Sequence, residues 1–350
     1  MPTIIFLIAH LGGGGAERVT VSLANYFSRN GYNVDLIIFS DKYNEYAIDE
    51  TITKYVLPRS QNKVVDVLKK VRRLRQLLKN INPEYVCSLG FSYRYLFLGN
   101  LMNKYRFILS ERNAPKYQYP QKIDLEIVKY CLSRAYHIVF QTEEARSFFS
   151  ETIQSKSTII PNPIKEGLPK PYVGEREKRI VAYSRLSEQK NIPLLLRSAK
   201  TFFESFPEYI LEICGRGECE DELKEYSKTL GIDDKVFFKG FTKNIHSQIL
   251  KAKMFVSSSD YEGISNSMLE SMAIGLPCVC TDCPVGGARM FIKTGENGIL
   301  VPVRDEKALT DAMIQITTDE SLEKKLSQNA SLIREQLEIE SICRKWEEVL

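Results

Sequence analysis

"TIIFLIAHLGGGGAERVTVSLANYFSRNGYNVDLIIFS", Thr3 to Ser40, decides the fold. Ile4 to Ala9 is an unbroken apolar run of strand length. Four glycines follow, Gly12 to Gly15, and then Val19, Leu23 and Phe27 recur at helical spacing until Gly31 ends the helix. "NVDLIIFS" reads as the next strand. Strand, helix and strand in such close succession make a βαβ unit, whose two strands lie parallel in one sheet.

Working outward, the alternation continues through the short apolar runs "EYVCSL", "RFILS" and "HIVFQT", separated by helical stretches. It breaks at "PNPIKEGLPKPYVGEREK", Pro161 to Lys178, which holds four prolines and two glycines among many charges. After the break it restarts with strands "RIVAYSRL", "YILEICG", "KVFFKG", "KMFVSSS" and "PCVCTD", alternating with helical stretches that include "IPLLLRSAKTFFESF" and "EDELKEYSKTLG". A chain of 350 residues has room for two domains of ordinary size, roughly 100 to 200 residues each. The expected architecture is α/β: two Rossmann-like domains facing each other across a cleft. The first domain is expected over 1–163, a linker over 164–178 and the second domain over 179–335. A C-terminal helix over 336–350 is expected to cross back to the first domain, at the end of an amphipathic stretch from Ser321 to Leu350 that holds the sole tryptophan, Trp346.

Composition narrows the class. With 43% hydrophobic and 26% charged residues the chain reads as an ordinary globular protein. The first apolar run is far shorter than the ~20 residues of a transmembrane helix and lacks a signal peptide's basic flank, so a cytoplasmic protein is expected. The eight cysteines are scattered, and "CVCTDCP" has one C-x-x-C with no second pair and no nearby histidine. A disulfide framework or zinc site is therefore not expected, and Cys278 and Cys280 suit a buried strand. Charge is uneven. Residues 1–165 carry 23 Lys and Arg against 14 Asp and Glu, a net of +9, and the remainder carries −5. That asymmetry points to different partners for the two halves.

The glycine run raises the question of a dinucleotide site. The fingerprint G-x-G-x-x-G requires a third glycine for close helix packing, but Glu17 or Arg18 occupies that place in the two possible registers. No Gly-Lys-Ser/Thr follows, which excludes a P-loop. What remains is a bare loop leading to a helix N-terminus, either a tight turn or a place where a ligand's anion or sugar oxygens approach backbone.

In the second half, Arg185, Gln189 and Lys190 follow the strand "RIVAYS". The guanidinium and ammonium, five residues apart, could neutralise a diphosphate together or simply be solvated. "SSSDYEGISNSMLESMAIGLP" places Glu262 before a helix that Ser265 or Asn266 can cap, with Glu270 in its second turn. Two carboxylates so placed can accept hydroxyl hydrogen bonds at opposite ends of one sugar-bearing ligand.

Together "GGAERV", "PNP", "SRLSEQKN", "CGRGE" and "EGISNSMLE", in that order over nearly the whole chain, resemble retaining glycosyltransferases of the GT-B fold, family 4. The resemblance implies that Arg185 and Lys190 bind the diphosphate of a nucleotide-sugar donor, that Glu262 holds hydroxyls of the donor sugar and that Glu270 holds the ribose. It implies further that Gly263, Ile264, Ser265 and Asn266 offer backbone to sugar and phosphate oxygens, and that Gly240 and Phe241 border the base. Gly14 and Gly15 would approach the donor phosphate and reacting centre from the opposite wall. "SERN", Ser110 to Asn113, is similar to a segment in members that build bacterial surface glycans, and Glu111 there occupies a position where many relatives place histidine. Glu111 is thus a fourth catalytic candidate beside Arg185, Lys190 and Glu262, unless it only pairs with Arg112. At the place of a glutamate in some relatives this chain has Met290, which receives no role. His10, beside the glycines, is a candidate for ligand contact; His137 is expected in the core and His246 on the surface.

No metal and no cofactor are expected, since the two cations can stabilise a departing diphosphate. The expected activity is transfer, with retention, of a hexose or N-acetylhexosamine from a nucleotide diphosphate sugar, a UDP-sugar by preference, to a saccharide acceptor. Other outcomes are another GT-B activity such as a nucleotide-sugar epimerase, an NAD-binding oxidoreductase or a non-catalytic nucleotide-sugar-binding module. Lys63 to Asn80 carries seven basic residues and one acid, with Val64, Val67, Leu68, Val71, Leu74 and Leu78 at helical spacing. Its basic face would meet anionic lipid at the inner face of the cytoplasmic membrane, or else be plainly solvated, with an undecaprenyl diphosphate-linked saccharide as a fitting acceptor. No nucleic-acid partner is expected.

Overall fold

The computed structural model describes residues 2–12, 14–42, 46–242 and 244–350. Gly13, within the glycine run, lies outside the described residues. The chain divides into two compact units, Met1–Pro163 with Ile339–Leu350, and Ile164–Glu338. Residues 164–178 thus fall within the second unit.

The first unit is built on seven strands: β1 (Thr3–Ile8), β2 (Asn33–Ile38), β3 (Thr53–Val56), β4 (Tyr85–Leu89), β5 (Arg106–Ser110), β6 (His137–Phe140) and β7 (Ser157–Ile159). Their order is β3-β2-β1-β4-β5-β6-β7, and every pairing is parallel. The second unit has six, β8 (Glu177–Tyr183), β9 (Ile210–Cys214), β10 (Val236–Gly240), β11 (Ala252–Ser257), β12 (Cys278–Thr281) and β13 (Ile299–Val301), again all parallel, in the order β10-β9-β8-β11-β12-β13. Helices cover both faces of such sheets, so central strands are apolar throughout rather than alternating. Ile4 to Ile8 of β1 are all at most 1% exposed. In each unit the strand order reverses beside the first strand, between β1 and β4 and between β8 and β11. Loops at the carboxyl ends of those strands form the crevice where open α/β sheets bind ligands.

The helix Ile192–Ser205 shows why the second sheet is covered. It buries Leu194, Leu195, Leu196, Ala199 and Phe202 at 0% exposure, and Asn191 caps it by accepting from the Leu194 amide at 3.3 Å. A buried ion cluster ties the start of β8 to the far side of this unit. Arg176 Nε lies 3.3 Å from Glu323 Oε1, Lys253 bonds Glu323 Oε2, and Arg176 also donates to the Gly275 and Ala252 carbonyls.

Two expectations are corrected here. The amphipathic stretch from Ser321 to Leu350 holds three helices, Glu320–Ser331, Ile333–Gln336 and Ile339–Glu347, so the helix expected over 336–350 spans Ile339–Glu347. The stretch breaks at Leu337, whose carbonyl accepts from Ile164 N at 2.8 Å. The last helix packs on Gly15–Arg29 of the first unit with Ile342, Cys343 and Trp346 buried. In the basic helix Lys63–Ile81, Val71, Leu74, Leu77 and Leu78 face the core, but Val64 and Leu68 are 68% and 62% exposed. Lys70 is buried and paired with Asp66 at 2.8 Å, so it does not belong to the basic face.

Candidate functional site

The second unit gathers most of the predicted residues at its switch point. After β8 a short 3-10 turn, Glu188–Lys190, is fastened to the loop after β11. Asp260 N donates to Gln189 O at 2.9 Å, and Ser258 Oγ donates to the carbonyls of Lys190 and Asn191, both at 2.9 Å. Lys190 Nζ then meets both Glu262 oxygens, at 2.8 and 2.7 Å, and Gln189 Nε2 donates to Glu262 Oε2 at 3.1 Å. An ammonium has three donors, so Lys190 keeps one for a further acceptor. Arg185 is not drawn into this knot. Its side chain is 72% exposed and its guanidinium pairs with Glu218 at 3.0 Å.

Glu262 is also fixed through its backbone, donating to Pro284 O at 2.6 Å and accepting from Val285 N at 2.9 Å. The chain then turns so that Ser265 Oγ caps the helix Asn266–Ala273, accepting from Met268 N at 3.3 Å, with Ile264 buried beneath. The N-terminus of this helix borders a small pocket lined by Tyr183, Ser184, Lys190, Ser258, Ser265 and Ser267. Gly287 backs the turn so closely that a Cβ there would stand 1.7 Å from the Gly263 carbonyl oxygen. Gly287→Ala must therefore displace the Glu262–Ser265 loop, and a roughly tenfold or larger fall in kcat/KM is expected; unchanged kinetics would show the loop does not set the reaction geometry.

Glu270, in the second turn of that helix, is buried, and His246 Nε2 lies 2.6 Å from its Oε2. The expectation of a surface His246 is thus wrong: the residue is 5% exposed. Its helix, Ile245–Ile249, turns it inward against Tyr183, ring centroids 6.0 Å apart and edge to face. Nothing in the local pattern of "NIHSQI" could have revealed a partner 24 residues away. Gly240 takes a left-handed φ of 66° at the end of β10, and Phe241 after it is 40% exposed.

The first unit holds a separate polar network at the carboxyl end of β5. Glu111 is 1% exposed; Tyr93 Oη bonds its Oε1, and Tyr119 Oη donates to both oxygens, at 2.9 and 3.1 Å. Burial pushes this carboxyl up to about 7, against the downward pull of the two tyrosines and Arg112. Arg112 does not spend its hydrogen bonds on Glu111. It donates to Ser110 Oγ at 3.2 Å and to Asn162 Oδ1, which also accepts from Gln141 Nε2 at 2.7 Å. Arg18 Nη2 donates to Pro163 O at 3.0 Å. Three of the short motifs, "GGAERV", "SERN" and "PNP", therefore meet in one network. His10 serves the glycine run itself, Nδ1 accepting from Gly12 N at 3.1 Å, and Gly14 begins the helix Gly15–Arg29 as its N-cap. His137 is half-buried and bonds Thr158 Oγ1 at 3.0 Å. Among the described residues no group of three or more His, Cys, Asp or Glu is gathered as metal ligands would be.

Residues 13–167 match the family described as Glycosyltransferase Family 4, and residues 165–332 match Glycosyl transferases group 1. The chain belongs to glycosyltransferase family 4. This membership sets aside the oxidoreductase alternative. A glycosyltransferase of Haemophilus influenzae is 28% identical over the full length of both chains. The N-acetylgalactosamine-N,N'-diacetylbacillosaminyl-diphospho-undecaprenol 4-alpha-N-acetylgalactosaminyltransferase of Campylobacter jejuni is 28% identical over 93% of this chain and 92% of its own. Among solved structures, Anabaena HepE in complex with UDP-glucose superposes with a TM-score of 0.86 at 17% identity, over 99% of both chains. Family 4 glycosyltransferases of the GT-B fold carry two such parallel-sheet units, and this one does the same.

Because the folded protein keeps a proton on Glu111 up to about pH 7, against an ordinary value of 4.5, this site stabilises the fold most at low pH. That contribution fades as pH rises through about 7, when the buried carboxyl must ionise. Glu111→Gln cannot ionise. Its melting temperature relative to the wild type is expected to rise between about pH 5 and about pH 8.5, and a constant difference would contradict the buried, proton-holding carboxyl.

Proposed function

We propose that this glycosyltransferase moves a hexose or N-acetylhexosamine, with retention of anomeric configuration, from a UDP-sugar to a saccharide carried on a polyprenyl diphosphate. The observation that carries the reading is the Lys190–Glu262 pair held against a helix N-terminus at the switch point of the second sheet. In this reading the remaining donor of Lys190, the exposed guanidinium of Arg185 and the amides at Ser265 and Asn266 receive the diphosphate, while Glu262 accepts from hydroxyls of the donor sugar. Glu270 takes the ribose, and Gly240 and Phe241 border the base. Breaking the sugar–phosphate bond leaves negative charge on the diphosphate, which preorganised donors stabilise as it forms. The acceptor oxygen bonds to the anomeric carbon on the face the phosphate leaves, and its proton passes to that phosphate. Gly14 and Gly15 approach the donor phosphate and the reacting centre, and Glu111 is a further catalytic candidate.

Similarity to Campylobacter jejuni transferases named for undecaprenol-linked acceptors supports a lipid-linked acceptor, as does the first unit's charge. No helix among the described residues is long and apolar enough to cross a membrane. The exposed face of Lys63–Ile81 combines Val64 and Leu68 with Arg72, Arg75 and Lys79, the pattern by which a helix lies on an anionic bilayer. Binding at the inner face of the cytoplasmic membrane is the expected consequence. Sedimentation with vesicles should rise with anionic lipid content and fall with salt; indifference to both would point to an acceptor met in solution.

The decisive assay incubates the protein with UDP-glucose, UDP-galactose and their N-acetylated counterparts, with and without a polyprenyl diphosphate-linked saccharide. Acceptor-dependent UDP release with one of them is expected. Release of UDP from none would reject the proposed donor class.

A further inference from the structure

We propose that His246 is a positioning residue for the nucleotide: it holds the Glu270 carboxylate in the orientation that accepts the ribose hydroxyls. The proposal rests on the reading of Glu270 as the ribose ligand and adds the residue that sets it.

The geometry is specific. A glutamate side chain has three rotatable bonds, and a carboxylate free to turn loses entropy when a ligand fixes it. Here the imidazole Nε2, 2.6 Å from Oε2, has already fixed it. His246 is itself locked, with its ring edge-on to Tyr183 and only 5% of its surface exposed. Tyr183 is anchored to the same helix that carries Glu270, donating to Ser267 O at 2.7 Å and accepting from Ser271 Oγ at 3.2 Å. Three elements thus converge on one carboxylate: β8 through Tyr183, Ile245–Ile249 through His246, and Asn266–Ala273.

The test measures binding of UDP and of 2′,3′-dideoxy-UDP by calorimetry to the wild type, His246→Phe, His246→Gln and Glu270→Ala. Phenylalanine keeps the ring against Tyr183 but cannot donate, and glutamine keeps a donor. His246→Phe is expected to weaken UDP about tenfold and leave the dideoxy nucleotide unaffected, with His246→Gln recovering part of the loss, because a hydrogen bond to a charged group is worth roughly this factor or more. Equal weakening of both nucleotides by His246→Phe, or no weakening of either, overturns the proposal. Glu270→Ala separates the two levels: if it spares the discrimination between the nucleotides, the ribose reading of Glu270 itself is wrong, whatever His246 does.

Discussion

Replacing Arg185 with alanine is expected to lower kcat about a hundredfold or more while leaving thermal unfolding unchanged. The catalytic half of this expectation follows from the charge that develops on a leaving diphosphate, where removing one preorganised donor typically costs a factor of about 10² to 10³. The stability half follows from where the side chain sits. Arg185 is 72% exposed and its partner Glu218 is 55% exposed, and a solvated pair of this kind contributes about 0 to 1 kcal/mol. Lys190 would make a poorer probe, because its removal also strips Glu262 of two hydrogen bonds. Turnover of Arg185→Ala near the wild-type value at saturating donor would remove Arg185 from the reaction.

Glu323→Ala is expected to have the opposite signature, a large loss of stability from a site outside the chemistry. Glu323 is 8% exposed and serves two cations at once, Arg176 through Oε1 and Lys253 through Oε2. Burial already pushes the Arg176 guanidinium below its ordinary value, with Glu323 opposing the shift. Deleting the carboxylate leaves two desolvated positive charges, and breaking a buried pair in this way costs about 3 to 5 kcal/mol. For a unit of this size the melting temperature should fall by roughly 10 °C. Glu323→Gln, which retains an acceptor, should lose less. Wild-type melting of Glu323→Ala would mean that the cluster is solvated and the second unit is held by its apolar core alone.

The parts of this molecule legible in its sequence are those written in periodicity. β1, β11 and the second half of β8 are largely buried and announce themselves as apolar runs, and the glycines and prolines punctuate them. The three strands that periodicity passes over, β3, β7 and β13, all lie at sheet edges. They are three or four residues long, pair through backbone, and β3 is mostly exposed, so side chains carry little sign of them. The same contrast holds for the site. Glu262 and Lys190 were visible because each sits in a short motif, and only their meeting needed the fold. His246 carries no motif, and the tyrosines on Glu111 come from positions 93 and 119, two elements that no local pattern joins. Val64 and Leu68 satisfy helical spacing yet are exposed, the buried apolar residues of their helix being Val71, Leu74, Leu77 and Leu78 further along it.

The most direct test of the central claim is the anomeric configuration of the product. Starting from a UDP-sugar with an α-linked phosphate, the new glycosidic bond is read by proton NMR from the coupling of the anomeric proton. An α-linked product is predicted, since the acceptor enters on the face from which the diphosphate departs. A β-linked product would contradict the account.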